Sequence, residues 1–411
     1  MDISLNRPKF KERIRAVPSK SEAHRAMICA ALGRRTVFMP CPVTNNDIEA
    51  TARCLTALGA RLTYEEGGYT VTPIKEVPAS AKCDCGESGT TLRFMIPLCA
   101  ALGCETEITM HGRLPERPLS PLDTMLTEKG VSVNKDGNVL KISGTLPKKE
   151  SWEIAGNVSS QFISGMLFAL TVAGGTLTVT GNTESKPYID MTKSVISACG
   201  GKIEEAENTY KVRAAVPLDT PSPLPVGGDW SGAAFPIAIG VTAKRKVTVC
   251  GLDINSTQGD KAIISVLRRM GAKITVCGDA VTAHPSDLTG CTVDCADIPD
   301  LVPVLAVAAL TAKGKTEFIN AARLRLKESD RLSATAELIK KLGGNVTEHP
   351  DGLTVYESTL TGGRVNSHND HRIAMSAAVA AFFAEGCVTV TDAQCADKSY
   401  PTFWEEFEAL K

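Results

Sequence analysis

Along this chain, polar cap-type residues, a run of small apolar residues and a short alternating stretch recur with a fixed period. Helices rich in Ala, Leu, Ile and Val are predicted over 21–32, 89–102, 159–173, 231–243, 300–312 and 370–384, each introduced by polar residues. A β-type segment follows each helix, at Thr36–Met39, Thr106–Thr109, Thr176–Val179, Lys246–Val249, Thr316–Ile319 and Val388–Thr391. Their first residues lie about 70 apart, at 36, 106, 176, 246, 316 and 388.

Amphipathic second helices are predicted to open near Asp47, Asp123, Asp190, Asp260 and Asp330 and to close at Gly59, Gly130, Gly200, Gly271 and Gly343. A hairpin-like pair of strands follows, as in Arg61–Tyr64, a turn at Gly67-Gly68, then Tyr69–Val71. In the sixth unit the second helix is expected over Tyr400–Leu410, and Met1–Arg15 is expected to supply the strand its missing hairpin lacks. The unit is therefore helix–strand–helix–hairpin, repeated six times, and the fold class is α/β in two three-unit halves. A chain of 411 residues suits two domains, with the Pro-rich stretch 217–225, ending in Gly227-Gly228, as linker.

Charge narrows the partners. The 45 basic and 46 acidic side chains nearly cancel, so no global field recruits nucleic acid or an anionic membrane, and an anion site has to be built locally. Met1–Val17 is charged and has no apolar core of a signal peptide, and the longest apolar helical run, Leu301–Leu310, is far too short to span a bilayer. A cytoplasmic location is expected. The 14 cysteines are scattered, several (Cys29, Cys54, Cys99, Cys199) within apolar helices, as suits reduced thiols. Cys83 with Cys85 and Cys291 with Cys295 lack a second pair at zinc-site spacing, so no metal is expected.

Candidate chemistry lies at the helix starts, which read Ser19-Lys20-Ser21, Glu87-Ser88-Gly89-Thr90, Asn157-Val158-Ser159-Ser160-Gln161, Gly228-Asp229-Trp230-Ser231, Asp297-Ile298-Pro299-Asp300 and Asn369-Asp370-His371-Arg372. Free N–H groups at such starts favour phosphates and carboxylates. Lys20, Arg25, Arg93, Arg113, Arg117, Lys327, Arg331, Arg372 and Lys398 lie beside them or in neighbouring loops. One segment alone, such as 18–32, reads first as a capped surface helix with two solvated cations; the repetition favours a site. The cluster Arg323–Leu332 is open in the same way. It is either a helix cap with surface pairs worth under about 1 kcal/mol, or Lys327 and Arg331 on substrate anions with Glu328 as acid or base. His371 is a general acid/base or a structural histidine. Gly314-Lys315-Thr316 fails as a phosphate loop, because Ala309 stands where a glycine is required and a helix precedes the strand.

Taken together, Pro18–Ser21 with Arg25, Gly89-Thr90 with Arg93, Arg113 with Glu116–Pro118, Ser159–Gln161, Ser185–Asp190, Lys327–Arg331 and Asn369–Arg372 resemble, in collinear order along essentially the whole chain, the signatures of the 5-enolpyruvylshikimate-3-phosphate synthases of the enolpyruvyl transferase family. The resemblance implies a two-domain inside-out α/β barrel fold, with residues 18–226 as one lobe, 1–17 and 227–411 as the other, and an active site in the cleft that closes between them. It implies transfer of the enolpyruvyl group of phosphoenolpyruvate to the 5-hydroxyl of shikimate 3-phosphate, by a monomer acting on small anionic substrates without metal or cofactor. Lys20, Ser21, Arg25, Ser159, Ser160, Gln161, Ser185, Tyr188, Asp300, Arg323 and Lys327 would hold shikimate 3-phosphate. Lys20, Gly89, Arg93, Arg113, Gln161, Arg331, Arg372 and Lys398 would surround phosphoenolpyruvate. Asp300 and Glu328, with Lys20, would move protons.

Two positions depart from that pattern. Glu87 stands where many relatives have Asn, which is expected to alter phosphoenolpyruvate affinity and sensitivity to glyphosate, and Arg323 stands where many have an Asn near the shikimate phosphate. The sister transferase acting on UDP-N-acetylglucosamine normally carries a reactive Cys in a mobile loop, and Gly112–Pro118 has none. An RNA 3′-phosphate cyclase-like enzyme is disfavoured by the near-neutral charge, and a non-catalytic anion binder by the retention of Lys20, Asp300 and Glu328.

Overall fold

Helices made of small residues bury their whole circumference only when they pack against one another, and both halves of the chain use this. The computed structural model describes residues 1–243 and 245–408. The chain divides into two compact units, Lys20–Val226 and Met1–Ser19 with Gly227–Lys411. Among the described residues are eleven α-helices. The first unit holds α1 (Lys20–Ala31), α2 (Asn46–Ala57), α3 (Gly89–Leu102), α4 (Leu122–Glu128), α5 (Ser160–Ala173) and α6 (Lys186–Ala198). The second holds α7 (Trp230–Thr242), α8 (Ile263–Arg269), α9 (Val302–Ala309), α10 (Arg331–Lys341) and α11 (His371–Ala380).

In the first unit α3 packs on α5, and α1 packs on α2 and α6. In the second, α7, α9 and α11 pack on one another. Helices α3, α5, α7, α9 and α11 are buried over nearly their whole length, whereas α2 and α6 bury one face. Each fully buried Leu, Ile or Phe in these layers contributes roughly 1.5–3 kcal/mol. The α3–α5 crossing is tight at Gly165 of α5, where an added Cβ would lie 2.4 Å from the Arg93 carbonyl oxygen and 3.1 Å from Pro97 Cγ of α3. Pro97 has no N–H to give that carbonyl, so α3 forgoes one backbone hydrogen bond where α5 crosses it.

Each repeat carries a sheet, and the sheets reveal an element that periodicity misses. A strand precedes the first helix and pairs in parallel with the strand after it: Ser80–Asp84 with Glu105–Thr109, Glu150–Ala155 with Gly175–Thr180, Thr292–Asp294 with Lys315–Ile319, and Gly363–Asn366 with Val388–Thr391. These are edge strands that each bury only one or two side chains, so their sequences are too polar to announce them.

The first repeat of each unit completes its edge from elsewhere. The expected linker 217–225 is not free: Leu218 N–H donates to the Leu32 carbonyl at 2.9 Å and Leu224 N–H to the Phe38 carbonyl at 2.8 Å, along the first repeat. Reciprocally, Arg13–Arg15 pairs in parallel with Val247–Cys250 of the fourth. As expected of the N-terminal segment, Ile3–Leu5 supplies a strand to the sixth repeat, antiparallel to Val388–Thr391.

The expected helix Tyr400–Leu410 is not formed; Leu410 lies outside the described residues. In its place are 3₁₀ turns at Ala393–Lys398 and Phe403–Glu406 and a strand, Phe407–Glu408, that pairs with Lys9–Phe10. The helix-like spacing at 400, 403, 404 and 407 has another cause. Phe403 sits edge-on to Tyr400, Trp404, Phe407 and Phe235, and an aromatic cluster needs no helix.

The α3–α5 crossing yields a prediction. Gly165→Ala forces a methyl group against backbone, so it should cost about 1–3 kcal/mol, seen as a lower urea midpoint with an unchanged slope. An unchanged midpoint would show that the two helices separate freely.

Candidate functional site

In the unit Lys20–Val226, polar side chains gather at the starts of the buried helices. Lys20 opens α1 and its Nζ donates to Asp47 Oδ2, in the first turn of α2, at 2.8 Å. Arg25, one turn later and buried, is fixed on three sides: Nε to Thr192 Oγ1 at 2.7 Å, Nη1 to the Ser21 carbonyl at 2.6 Å and Nη2 to the Tyr188 carbonyl at 3.0 Å. Burial pulls its pKa down to about 10, which leaves it charged at neutral pH.

Ser88 caps α3 and Ser159 caps α5. Between them, Arg93 Nη1 donates to Gln161 Oε1 at 2.8 Å, and Gln161 Nε2 donates to Thr90 Oγ1 at 2.8 Å. Gly89 stands against two guanidinium groups: a Cβ there would lie 2.7 Å from Arg117 Nη1 and 2.8 Å from Arg93 Nη1. Arg113 is not among them. It is half-exposed and its Nε donates to Glu116 Oε2 at 3.3 Å. The arginine that joins Arg93 is Arg117, four residues along the same loop. Ser160 and Ser185 are buried at the starts of α5 and α6, with Ser185 in the left-handed region at φ 53°.

Beneath these starts runs a buried chain of hydroxyls. His24 Nδ1 shares a hydrogen bond with Thr51 Oγ1 at 2.6 Å, Thr51 with Thr91 Oγ1 at 2.7 Å, and Thr91 donates to Ser88 Oγ at 2.8 Å. Burial, then the charges of Lys20 and Arg25, hold the His24 pKa well below its ordinary value, so the ring is neutral.

In the other unit the centre is Arg331, whose side chain is 2% exposed. Its Nε donates to Asp370 Oδ2 at 2.8 Å, Nη1 to Asp300 Oδ1 at 2.8 Å and Nη2 to Glu328 Oε2 at 2.6 Å. Asp370 also caps α11 through the Arg372 N–H and accepts the Ser329 hydroxyl. Asp300 sits in the 3₁₀ turn Pro299–Leu301 and also meets Lys327 Nζ at 3.4 Å and Arg372 Nη2 at 3.3 Å. Burial opposes its ionisation, but the cations Lys327, Arg372 and Arg331 outweigh burial and hold its carboxyl well below the usual carboxylate range. Burial, with the Arg331 charge, pulls the Lys327 pKa down, against the pull of Asp300. Lys398 Nζ donates to the Asn369 carbonyl at 2.8 Å, Arg323 Nη2 to the Ala296 carbonyl at 2.9 Å, and His371 is buried at the first turn of α11.

Each unit thus presents cations and helix starts, and the second sets Asp300, Glu328 and Asp370 against its cations. Such an arrangement suits anionic substrates and acid–base chemistry. Sequence reasoning named Arg117 among the candidate cations without placing it at Gly89, and left out Asp370 and Asp47 as partners of cations. Asp370 had one signal, its N-cap position in Asn369–Arg372.

The fold is that of the enolpyruvyl transferases. The chain is similar to the enolpyruvyl transferase NikO of Streptomyces tendae at TM-score 0.75 and 18% identity, over 98% of this chain and 96% of that one. Closer in sequence is the EPSP synthase of Acinetobacter baumannii, at TM-score 0.80 and 26% identity over 98% and 97%. A Clostridium kluyveri protein named 3-phosphoshikimate 1-carboxyvinyltransferase is 36% identical over 414 residues, 99% of this chain and 97% of its own length. The family model for EPSP synthase (3-phosphoshikimate 1-carboxyvinyltransferase) matches residues 6–407, and the chain belongs to that family.

The neutral His24 sets a pH dependence. Below about pH 6.5 the unfolded chain takes up a proton at His24 that the folded unit refuses, so stability should fall on acidification by up to ~1.4 kcal/mol per pH unit from this group. Urea denaturation of the wild-type chain and His24→Gln between about pH 7 and pH 5 checks this. The variant should show the shallower fall, and parallel curves would assign the loss to other groups.

Proposed function

We propose that this chain joins phosphoenolpyruvate to the 5-hydroxyl of shikimate 3-phosphate, giving 5-enolpyruvylshikimate 3-phosphate and inorganic phosphate in the shikimate pathway of aromatic amino acid biosynthesis. The observation that carries this is the arrangement of Asp300 and Glu328 on Arg331, with Lys327 and Arg372 beside Asp300. Two proton-transferring carboxylates lie among cations able to take phosphates and a carboxylate. Membership of the family supports the choice of substrates.

Asp300 takes the proton of the 5-hydroxyl as the hydroxyl oxygen attacks C2 of phosphoenolpyruvate, and Glu328, which enters this step protonated, gives its proton to C3. The C–O bond to phosphate then breaks, phosphate leaving with the proton held by Asp300, and Glu328 takes back a proton from the new methyl group, which restores the double bond. Lys20 takes part in proton transfer. Ser21, Arg25, Ser159, Ser160 and Gln161 hold shikimate 3-phosphate together with Ser185, Tyr188, Arg323 and Lys327. Lys20, Gly89, Arg93, Arg113, Gln161, Arg331, Arg372 and Lys398 hold phosphoenolpyruvate, and Arg117, beside Gly89, adds a further cation. When substrate anions engage Lys327, Arg331 and Arg372, their hold on Asp300 weakens and its carboxylate becomes the stronger base. The reaction as written needs no cofactor, and the enzyme works as a monomer in the cytoplasm.

The test is phosphate release from phosphoenolpyruvate in EDTA, with shikimate 3-phosphate or UDP-N-acetylglucosamine as acceptor. Release only with shikimate 3-phosphate is expected; release only with the nucleotide sugar would overturn the substrate assignment. Glu328→Gln should lower turnover by about 10²–10⁴ with substrate KM values changed far less. Near-normal turnover would remove Glu328 from proton transfer.

A further inference from the structure

The Asp260 carboxyl is 1% exposed in the 3₁₀ turn Gly259–Ala262, and no step above uses it. Its Oδ2 accepts the hydroxyl of Ser231, the second residue of α7. The Ser231 carbonyl in turn accepts Arg372 Nη1 at 3.1 Å, and Arg372 Nη2 reaches Asp300 Oδ2 at 3.3 Å. One guanidinium is therefore held between two carboxylates, Asp300 directly and Asp260 through Ser231.

The charges around Asp260 come from several elements. Asp229, at the cap of α7, accepts the Ser231 N–H at 2.9 Å; Asp300 comes from the turn before α9, and Arg372 from α11. On its own turn, Lys261 is tied to the carbonyls of Ile254 and Ser256. On α8, Arg268 and Arg269 donate to the carbonyls of Ile274 and Thr292. Arg372 is thus the cation that answers Asp260.

Resting on the assignment of Arg372 to phosphoenolpyruvate, we propose that Asp260 is a positioning residue that fixes Arg372 through Ser231 and whose charge sets how strongly Arg372 holds an anionic substrate. An ionised Asp260 shares the field of Arg372 with the substrate; a neutral one leaves that field to the substrate. Burial, then the Asp300 charge, pushes the Asp260 pKa up to about 6, while Arg372 and the Ser231 hydroxyl pull the other way. The charge of Asp260 therefore changes around pH 6, and the grip on an anion tightens as pH falls through that value.

The experiment compares the KM for phosphoenolpyruvate of the wild-type chain and Asp260→Asn between about pH 5 and pH 8. The ratio of the two cancels the titration of the substrate itself. Asparagine keeps an oxygen for Ser231 and removes the charge. Its KM should be about three- to tenfold lower than wild type at the alkaline end and equal at the acid end, with the ratio turning over near pH 6. A ratio independent of pH overturns the proposal whatever happens to Tm, because a merely structural role does not titrate.

Ser231→Ala supplies a second reading, available even where Asp260→Asn fails to fold. It removes a bond that favours the ionised form, so the pH at which KM changes should move upward; an unmoved midpoint overturns the link through Ser231. Calorimetry with inorganic phosphate on the wild-type chain and Asp260→Asn separates this proposal from the assigned reaction. No wild-type turnover with a pH-dependent affinity ratio would sink the reaction and keep the role of Asp260. Normal turnover with a flat ratio would do the reverse.

Discussion

A guanidinium removed from water has to be answered by carboxylates, and Arg331 is answered by three. Each comes from a different element: Asp300 from the turn before α9, Glu328 from the loop before α10, and Asp370 from the cap of α11. The cost of leaving any of these charges unpaired in the interior ties the elements to one geometry. The buried packing of α7, α9 and α11 sets where their starts lie, and the charges fix which atoms face one another. Asp370 serves both ends, since the carboxylate that pairs with Arg331 also closes the first turn of α11.

The same economy appears in the unit Lys20–Val226, with hydroxyls in place of carboxylates. A neutral histidine and a run of threonine and serine hydroxyls tie α1 and the middle of α2 to the start of α3, while Arg93 and Gln161 tie α3 to α5. The buried helices are plain and repetitive along their length; their individuality is concentrated in the first turn. That division places the chemistry where backbone N–H groups are free and side chains are least constrained by packing.

The period of about 70 residues was legible because small apolar helices and the strands after them carry strong patterns. The parallel edge strands were not, since Ser80–Asp84 and Thr292–Asp294 bury a single side chain each and look like loops. Tyr400–Phe407 misled for the opposite reason: its apolar spacing was strong, but aromatic stacking rather than helical packing produced it. Among the candidate residues, those at helix starts were visible from caps and cations. In the loop 112–118, with two arginines four apart, nothing in the spacing says which one turns toward Gly89; the structure chooses Arg117. Asp260 was seen only as the opening of a second helix, because its partners Ser231 and Arg372 are distant in sequence.

The exchange of edge segments between repeats bears on synthesis of the chain. Everything that Lys20–Val226 needs, including the edge at 218–224, has been made once residue 226 has emerged. The other unit has to wait. Ile3–Leu5 pairs with Val388–Thr391 and Lys9–Phe10 with Phe407–Glu408, so its first strands close against strands made much later. On the ribosome, those strands wait without partners through synthesis of the whole of Lys20–Val226, and the unit bearing Arg331 is completed only after Phe407–Glu408 has been made.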